Sequence, residues 1–413
     1  MKANTRFSLY FDKSNIALAL LAIMIAGFLL SPAICSIAVI VFGINSLRDV
    51  HPKNWFRHTW WLLGLVWIFF YAITWFYSDD KAYWSTRLQV KLAFLLLPLA
   101  FALLPRFTKR QINFITLSIG LLLLAGAVYS ISLLLNDYEY YISEYKYAHL
   151  FPTPVRNDYI RFSLSIALFF VWSFYAFPLL ENRITKWAIG IIILLLFAYI
   201  HILAAKSGLI SAYLFLIAWC IYVSIAQKKL IGLITLFLLA ATLFAGIRFV
   251  PTLKKRFDYI DASWHMLRNN DKSGNYGDIN RLQSYNVALK LIKKNPWLGV
   301  GVGNMEKAMD NGYETWYPEV IPENRLLPHN QFLIVSLGCG IPGLVALLVW
   351  LFYALTQLRK NRESFFFFMT WLLLIIQLLI EPAFEIQFGV FVFLFFFLLQ
   401  WHTLPSKSKQ PAI

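Results

Sequence analysis

Residues 329–357 have the sequence HNQFLIVSLGCGIPGLVALLVWLFYALTQ, which contains no lysine, arginine, aspartate or glutamate. A membrane-spanning helix needs about 20 mostly apolar residues, so this stretch is long enough to cross a bilayer. Pro328 precedes it, as expected at a helix start. Basic residues follow it at Arg359, Lys360 and Arg362, which is typical of the cytoplasmic end of a span. The stretch therefore predicts a transmembrane helix.

The rest of the chain has the same character. It is 59% hydrophobic and 14% charged, whereas a soluble domain is about half apolar and about a quarter charged. This composition excludes a soluble globular enzyme, a disordered protein and a collagen-like chain. We predict an all-α, polytopic integral membrane protein with about 12 transmembrane helices. The predicted spans lie at about 15–30, 32–47, 57–77, 88–104, 112–135, 158–178, 184–203, 208–226, 229–249, 329–357, 364–381 and 385–402.

The basic residues predict the orientation of these spans. If the N-terminus is cytoplasmic, every short cytoplasmic connection carries lysine or arginine, and the acidic residues on that side are Asp12, Asp49, Glu181 and Glu363. This distribution is the positive-inside pattern. It predicts that both termini are cytoplasmic, and it explains the net charge of +16 without nucleic acid as a partner.

The opposite, outer side has two extended loops, at about 136–157 and about 250–328. The second is long enough for a small helical lobe, because residues 281–294 have the apolar spacing of an amphipathic helix that ends before Pro296. We therefore predict four parts of the chain. They are transmembrane helices 1–9 in 1–249, the lobe in 250–328, transmembrane helices 10–12 in 329–402, and a cytoplasmic tail in 403–413.

Basic residues at the outer ends of the spans are the main candidates for chemistry, since ionisable groups beside membrane helices are costly. Arginine offers phosphate a planar fork and lysine offers a point charge. The set therefore suits an anionic headgroup such as a phosphate or pyrophosphate, although single cations can also simply extend toward lipid phosphates. The candidates on the outer side are Arg87, Lys91, Arg156, Asp158, Arg161, Lys206, Arg248, Arg281 and His329, with Glu381 and Glu385 in the last outer loop.

His329 opens the tenth predicted span, and Asn330 follows it. A polar pair at this position is also typical of ordinary helix capping. A neutral imidazole there can instead accept a proton from a substrate near neutral pH. His329 is therefore a candidate general base, with Asn330 as its structural neighbour.

Gly299, Gly301 and Gly303 form a GVGVG segment that superficially resembles a nucleotide-binding loop. The segment follows Pro-Trp-Leu rather than a strand of a βαβ unit, so it fails the structural context that a dinucleotide site requires. We interpret it as a turn at the membrane surface. The sequence also has no HExxH, no GxSxG and no DxD cluster, so we expect neither a metal nor a cofactor.

Four segments of the last third of the chain have a characteristic order and spacing. They resemble the O-antigen ligase and polymerase superfamily, in which an arginine opens an amphipathic helix, a Pro-x-x-Gly-x-Gly turn follows, and a His-Asn pair enters the next span. Lys206-Ser207-Gly208 is similar to the family's Ser-Arg-Gly segment, with the cation displaced by one position and changed to lysine. The four segments are RLQSYNVALK at 281–290, NPWLGVGVGN at 295–304, HNQFL at 329–333 and GCGIPG at 338–343.

The resemblance implies a metal-independent glycosyltransferase at the periplasmic face of a bacterial inner membrane. Its donor would be a glycan on undecaprenyl pyrophosphate. The acceptor would be a sugar hydroxyl of lipid A–core in a ligase, or another lipid-linked repeat unit in a polymerase. The resemblance implies that His329 deprotonates the acceptor hydroxyl. It also implies that Arg281, with further cations, holds the pyrophosphate, and cations can stabilise a leaving group in place of Mg²⁺.

A ligase-type transferase is the leading hypothesis, and three alternatives stay open. A polymerase of the same superfamily needs the same donor site. A twelve-span transporter would show related halves and charges near the membrane midplane, whereas here the large loop follows the ninth span and the charges lie at the outer edge. A scaffold without chemistry would tolerate alanine at His329 and Arg281.

Overall fold

The computed structural model describes residues 12–48, 58–147, 149–226, 228, 230–268, 277–359 and 361–404. Within these ranges all regular secondary structure is helical, which confirms the all-α prediction. Most of the predicted tail, 403–413, lies outside the described residues.

The helices are numbered here in chain order, and short 3-10 turns extend several of them. They are α1 (Lys13–Leu30), α2 (Pro32–Leu47), α3 (Thr59–Ile73), α4 (Lys81–Lys91), α5 (Ala93–Leu103), α6 (Lys109–Asn136), α7 (Tyr138–Glu144), α8 (Tyr159–Ala176), α9 (Arg183–Leu203), α10 (Lys206–Ile225), α11 (Ile231–Phe249), α12 (Pro251–Arg268), α13 (Gly277–Lys294), α14 (Met305–Trp316), α15 (Gln331–Tyr353), α16 (Arg362–Ile380) and α17 (Gln387–Thr403).

Ten helical segments in the described part of the chain are long and apolar enough to span a membrane. Helices α2 and α17 are also apolar but are shorter. Each of the twelve predicted spans therefore coincides with an apolar helix, and ten of these helices meet the length of a full crossing. The count of twelve crossings stays a prediction.

Polar residues just before the apolar runs explain where several helices begin. The Asn182 side chain accepts a hydrogen bond from the Thr185 backbone N–H at 2.6 Å. Asn361 does the same for Ser364 at 2.9 Å. These contacts satisfy backbone donors that the first helical turn leaves unpaired.

The chain divides into two compact units. The first unit comprises Met1–Phe42, Pro105–His265 and Thr403–Ile413, and the second comprises Gly43–Leu104 and Met266–His402. The predicted lobe, 250–328, contributes most of α12 to the first unit, and α13 and α14 to the second. The predicted domain boundaries and the lobe stay predictions.

The first unit is built around α8, which is buried along almost its whole length. Helix α8 packs against α10, while α9 and α1 pack against α6. The crossing of α8 and α10 is close, because a Cβ added at Gly208 would lie 2.3 Å from the Ser163 Cβ.

The second unit has an aromatic core between α3 and α15. Trp60 stacks on Trp350 with ring centroids 4.5 Å apart, and Phe94 meets Phe384 edge-on at 4.7 Å. Helix α17 is short, but its phenylalanines are buried in this unit. Aromatic pairs of this kind stabilise a core beyond the burial of their apolar area. The residues between α16 and α17 therefore pack against a rigid aromatic core.

Candidate active site

One carboxylate in the second unit joins the two residues that the sequence predicts as catalytic. The Arg281 guanidinium donates from Nη2 to Glu381 Oε1 at 2.8 Å. The His329 Nδ1 lies 3.4 Å from Glu381 Oε2. The Glu381 side chain is 7% exposed, whereas the Arg281 and His329 side chains are 35% and 29% exposed. A buried acid thus holds two side chains that remain accessible.

Glu381 is placed by the end of α16. Its backbone N–H donates to the Gln377 carbonyl at 2.9 Å, and Glu381 itself has an extended backbone that ends the helix. Pro382 follows and cannot continue the helix hydrogen bonding. The chain therefore turns away immediately after Glu381, and its carboxylate projects from the helix end.

His329 is held from its backbone side as well. The Tyr285 hydroxyl, one turn beyond Arg281 on α13, donates to the His329 carbonyl at 2.7 Å. Asn330 is the N-cap of α15, since its Oδ1 accepts from the Phe332 and Leu333 backbone N–H groups. Its Nδ2 also donates to the Leu379 carbonyl at the end of α16, at 3.0 Å. The His-Asn pair is therefore both a cap and a link between α15 and α16.

A second carboxylate lies four residues beyond the first and is more deeply buried. Lys91 donates from Nζ to Glu385 Oε2 at 2.9 Å, and both side chains are buried, at 0% and 5% exposed. Gln331 donates from Nε2 to Glu385 Oε1 at 2.9 Å, and its own Oε1 accepts from the Phe384 N–H. Both carboxylate oxygens of Glu385 are thus hydrogen-bonded.

These contacts keep Glu385 ionised. Burial alone would raise the pKa of Glu385, but the Lys91 ammonium and the hydrogen bonds from Gln331 and Lys91 lower it below its ordinary value. Removing one partner of a buried ion pair costs about 3–5 kcal/mol, because the other charge is left uncompensated. The pair therefore fixes residues 381–385, which we call the Glu381–Glu385 loop.

Arg87 and Lys91, both on α4, act on the backbone of this loop. The Arg87 Nη1 donates to the Glu385 carbonyl at 2.8 Å, and the Lys91 Nζ to the Phe384 carbonyl at 3.1 Å. Arg87 is partly exposed, while the Lys91 ammonium is buried. In this arrangement Arg87 has surface to offer a ligand, and the contacts of Lys91 are internal.

The glycine segment packs into a break in α15, where Gly340 adopts φ 69° and ψ −176°. Such angles are essentially restricted to glycine. Because Pro342 has no N–H and the Ile341 N–H donates instead to the Pro296 carbonyl at 2.8 Å, helical partners are missing for two carbonyls upstream. Those carbonyls accept from the turn. Val300 donates to Leu337 at 2.8 Å, and Gly301 to Gly338 at 3.1 Å.

The glycines of the turn allow this close approach. Gly299 and Gly301 have φ of +68° and +87°, and a Cβ on Gly299 would lie 2.5 Å from the Leu337 carbonyl oxygen. A Cβ on Gly303 would lie 2.3 Å from the Asp80 carbonyl oxygen, just before α4. The turn predicted at the surface is thus an interlock that ties α13, α15 and the start of α4 together.

The other predicted cations lie in the first unit. Arg161 pairs with Asp158 at 3.2 Å, and Asp158 also caps α8. Arg156 is exposed on a turn with left-handed backbone, φ 55°. Lys206 begins α10, with its ammonium 5.8 Å from the centre of the Tyr259 ring. Ser207 contacts Ser163 at 3.3 Å, so the first turns of α8 and α10 lie side by side.

The sequence predicts Glu381 and Glu385 as candidates without a specific role, and it does not predict Gln331 or Tyr285. The two acids could be recognised from their position. They flank Pro382 in a short loop between apolar helices, and acidic residues are few in this chain. Nothing in the local pattern identified Tyr285, because its hydroxyl contacts a residue 44 positions away.

Within the described residues, no three His, Cys, Asp or Glu side chains are grouped so as to hold a metal ion. Glu381 and Glu385 are each engaged by basic side chains. The absence of a metal requirement stays a prediction.

The apolar helices, together with the polar cluster at their ends, define a multi-pass membrane protein. Residues 168–348 match the family model described as O-Antigen ligase. This match confirms that the motifs resemble the O-antigen ligase superfamily. A search of curated proteins finds no match to this chain.

The matched region contains Lys206, Arg281, the glycine turn and His329, while the Glu381–Glu385 loop follows it. The match is to a family of membrane enzymes of the O-antigen ligase or polymerase type, whose activity is glycosyltransferase-like.

Proposed function

We propose that this protein is an O-antigen ligase-type glycosyltransferase. It would move a glycan from undecaprenyl pyrophosphate to a sugar hydroxyl of lipid A–core, at the periplasmic face of a bacterial inner membrane and without a metal. The observation that carries the proposal is the contact of one buried carboxylate, Glu381, with both Arg281 and His329. The family match over residues 168–348 supplies the reaction class.

In this mechanism His329 is the general base. Glu381 accepts the Nδ1–H of the imidazole and thereby favours the tautomer whose Nε2 is free to accept a proton. The present 3.4 Å separation is at the long end for a hydrogen bond, and such contacts commonly shorten when substrate binds. Nε2 would take the proton of the acceptor hydroxyl as its oxygen attacks the anomeric carbon.

Arg281 is placed to assist the leaving group. Its Nη2 is bound to Glu381, and the side chain is still 35% exposed, so other N–H groups can meet the donor. As the bond from the anomeric carbon to the pyrophosphate oxygen breaks, the electron pair goes to that oxygen. A guanidinium stabilises the charge that develops there. Undecaprenyl pyrophosphate then leaves as the anion.

We further propose that Arg87, Arg156, Arg161 and Lys206 contribute to donor binding, with Lys91 supporting the Glu381–Glu385 loop from within. The glycine turn would hold the end of α13 against the middle of α15, and Asn330 would hold the start of α15 against the end of α16. A base must lie within hydrogen-bond reach of the proton it removes, so this rigidity serves the reaction.

The test is a transfer assay with the purified protein, a native undecaprenyl-pyrophosphate glycan and lipid A–core, in the presence of EDTA. We expect glycan on lipid A–core with the unaltered protein and none with His329→Ala at equal protein amount. A general base contributes about 10²–10⁴-fold, so loss of product is the expected result.

Three outcomes would contradict the proposal. Longer lipid-linked chains with no transfer to the core would indicate a polymerase. Activity that requires Mg²⁺ would contradict the metal-free mechanism. The absence of any product, with the donor shown to be intact, would favour the transporter alternative.

A further inference from the structure

Arg256 in the first unit is a buried arginine with unused hydrogen-bonding groups. The residue is 8% exposed, and its Nε and Nη1 are buried without a hydrogen-bond partner in the described part of the chain. Acidic residues on the same helix, α12, do not compensate it. Asp258 is exposed, and Asp261 lies 3.7 Å from His265.

A guanidinium in this state is energetically unfavourable. Arginine stays charged in proteins, and a buried charge is stable only when it is paired and hydrogen-bonded. Buried charged side chains without partners are retained where a bound ligand supplies the missing hydrogen bonds, since functional sites are often locally destabilising. An anion that accepts hydrogen bonds from Nε and Nη1 would compensate this charge.

A second cation lies near the same place. The Arg256 guanidinium carbon is 5.4 Å from the centre of the Tyr259 ring, and the Lys206 ammonium is 5.8 Å from the same centre. Thr252, one helical turn before Arg256 and also buried, donates to the Ile202 carbonyl at the end of α9. The side of α12 that carries Arg256 therefore packs close to the start of α10.

We propose that Arg256 and Lys206 form a binding site for a phosphate group borne by a lipid, either the pyrophosphate of a polyprenyl donor or a phospholipid headgroup. The guanidinium supplies N–H donors from Nε and Nη1 to phosphate oxygens, which arginine binds well, and Lys206 adds a point charge. The inference rests on the proposed function only for the polyprenyl source. The site is defined by binding and not by transfer.

The experiment compares unaltered protein with Arg256→Gln in an uncharged detergent and phosphate-free buffer. The probes are inorganic pyrophosphate, farnesyl pyrophosphate and lysophosphatidylglycerol. Dissociation constants and unfolding temperatures are measured for each. Lys254→Gln is the matched control, because Lys254 is an exposed cation two residues away on the same helix.

We expect Arg256→Gln to weaken binding of at least one probe by about tenfold or more, since hydrogen bonds between charged groups are the strong ones. We also expect the ligand-free unfolding temperature to stay the same or to rise, because an unpaired buried charge is removed. Lys254→Gln should change neither quantity.

The probes identify the source of the phosphate. Loss confined to the two pyrophosphates indicates the donor, and loss confined to lysophosphatidylglycerol indicates a phospholipid. Unchanged affinity for all three probes would overturn the site. A lower ligand-free unfolding temperature would also overturn it, because Arg256 would then belong to a satisfied structural contact. Either result is independent of whether the protein transfers glycan.

Discussion

At the scale of single residues, Glu381 is the centre of the candidate site. Its Oε1 accepts from Arg281 Nη2 at 2.8 Å, and the His329 Nδ1 lies 3.5 Å from Oε1 and 3.4 Å from Oε2. A glutamine has no charge and one acceptor oxygen, so it binds the Arg281 guanidinium and a protonated His329 more weakly than a carboxylate does. The carboxylate is therefore the chemical requirement at this position.

We predict that Glu381→Gln lowers kcat by about 10²-fold, at the low end of the contribution of a general base, because His329 loses its orienting partner. The measurement is transfer kinetics at saturating donor. Glu314→Gln is the control, because it removes an exposed carboxylate that pairs with Arg325, and exposed pairs contribute little. Equal kcat for Glu381→Gln and the unaltered protein would refute the role of Glu381.

Arg281 should respond differently to two substitutions. Arg281→Lys retains the charge but loses the planar fork, whereas Arg281→Ala loses both. We predict weaker donor binding in both variants and the larger loss in Arg281→Ala. Donor affinity measured without acceptor is the relevant quantity. Unchanged affinity in both variants would be incompatible with contact between Arg281 and the pyrophosphate.

At the scale of elements, the break in α15 and the glycine turn complete each other. The carbonyls freed near Gly340 and Pro342 accept the N–H groups of the turn. The C-terminal end of helix α13 is thereby anchored to α15. Arg281 and His329 lie instead near the N-terminal ends of these two helices. These backbone contacts fix the positions of the two helices and take no part in the proposed reaction.

Gly340→Ala should destabilise the protein, because alanine is strained at this backbone conformation by about 1–3 kcal/mol. Its Cβ would also lie 2.3 Å from the Trp297 carbonyl oxygen. Thermal unfolding in detergent should show a lower midpoint. Gly190→Ala is a matched control, since nothing lies within 4 Å of the added Cβ. If both variants unfolded at the same temperature, the contact between the glycine turn and α15 would not contribute to stability.

The Glu381–Glu385 loop should also give the protein a defined response to acid. The pKa of Glu385 is lower in the folded protein than its ordinary value of 4.5. The unfolded chain therefore binds the proton more readily. The stabilisation is complete above about pH 4.5 and is lost as the pH falls through the lower, folded value.

We predict that Glu385→Gln lowers stability at neutral pH, because Lys91 is left as an uncompensated buried charge. The same variant should lose less stability between pH 4.5 and more acidic conditions than the unaltered protein does. Unfolding midpoints measured across this range test both statements. A variant with the same acid profile as the unaltered protein would show that Glu385 is not the titrating group.

At the scale of the whole molecule, the distribution of basic residues predicts which side of the membrane each loop occupies. A C-terminal green fluorescent protein should be fluorescent, because the C-terminus is expected in the cytoplasm. Alkaline phosphatase fused after residue 320 should be active, because that segment is expected outside. The reverse pattern would place the candidate site on the wrong side for a periplasmic transferase.

The sequence by itself determined the helices, since a long apolar run is a local property that needs no distant partner. It also indicated His329 and Arg281 through a local motif, and it placed Asn330 at a helix start. Caps and spans depend on neighbours a few residues away, so local reasoning is sufficient for them.

Only the tertiary structure decided what these residues contact. Arg281 meets an acid 100 positions away, and Lys91 meets one 294 positions away, while the glycine turn depends on carbonyls freed in another helix. Arg256 stands out because burial, which no local pattern specifies, leaves its Nε and Nη1 without a hydrogen-bond partner in the described part of the chain. Spacing along the chain cannot reveal such pairs, because they form only when helices distant in sequence pack together.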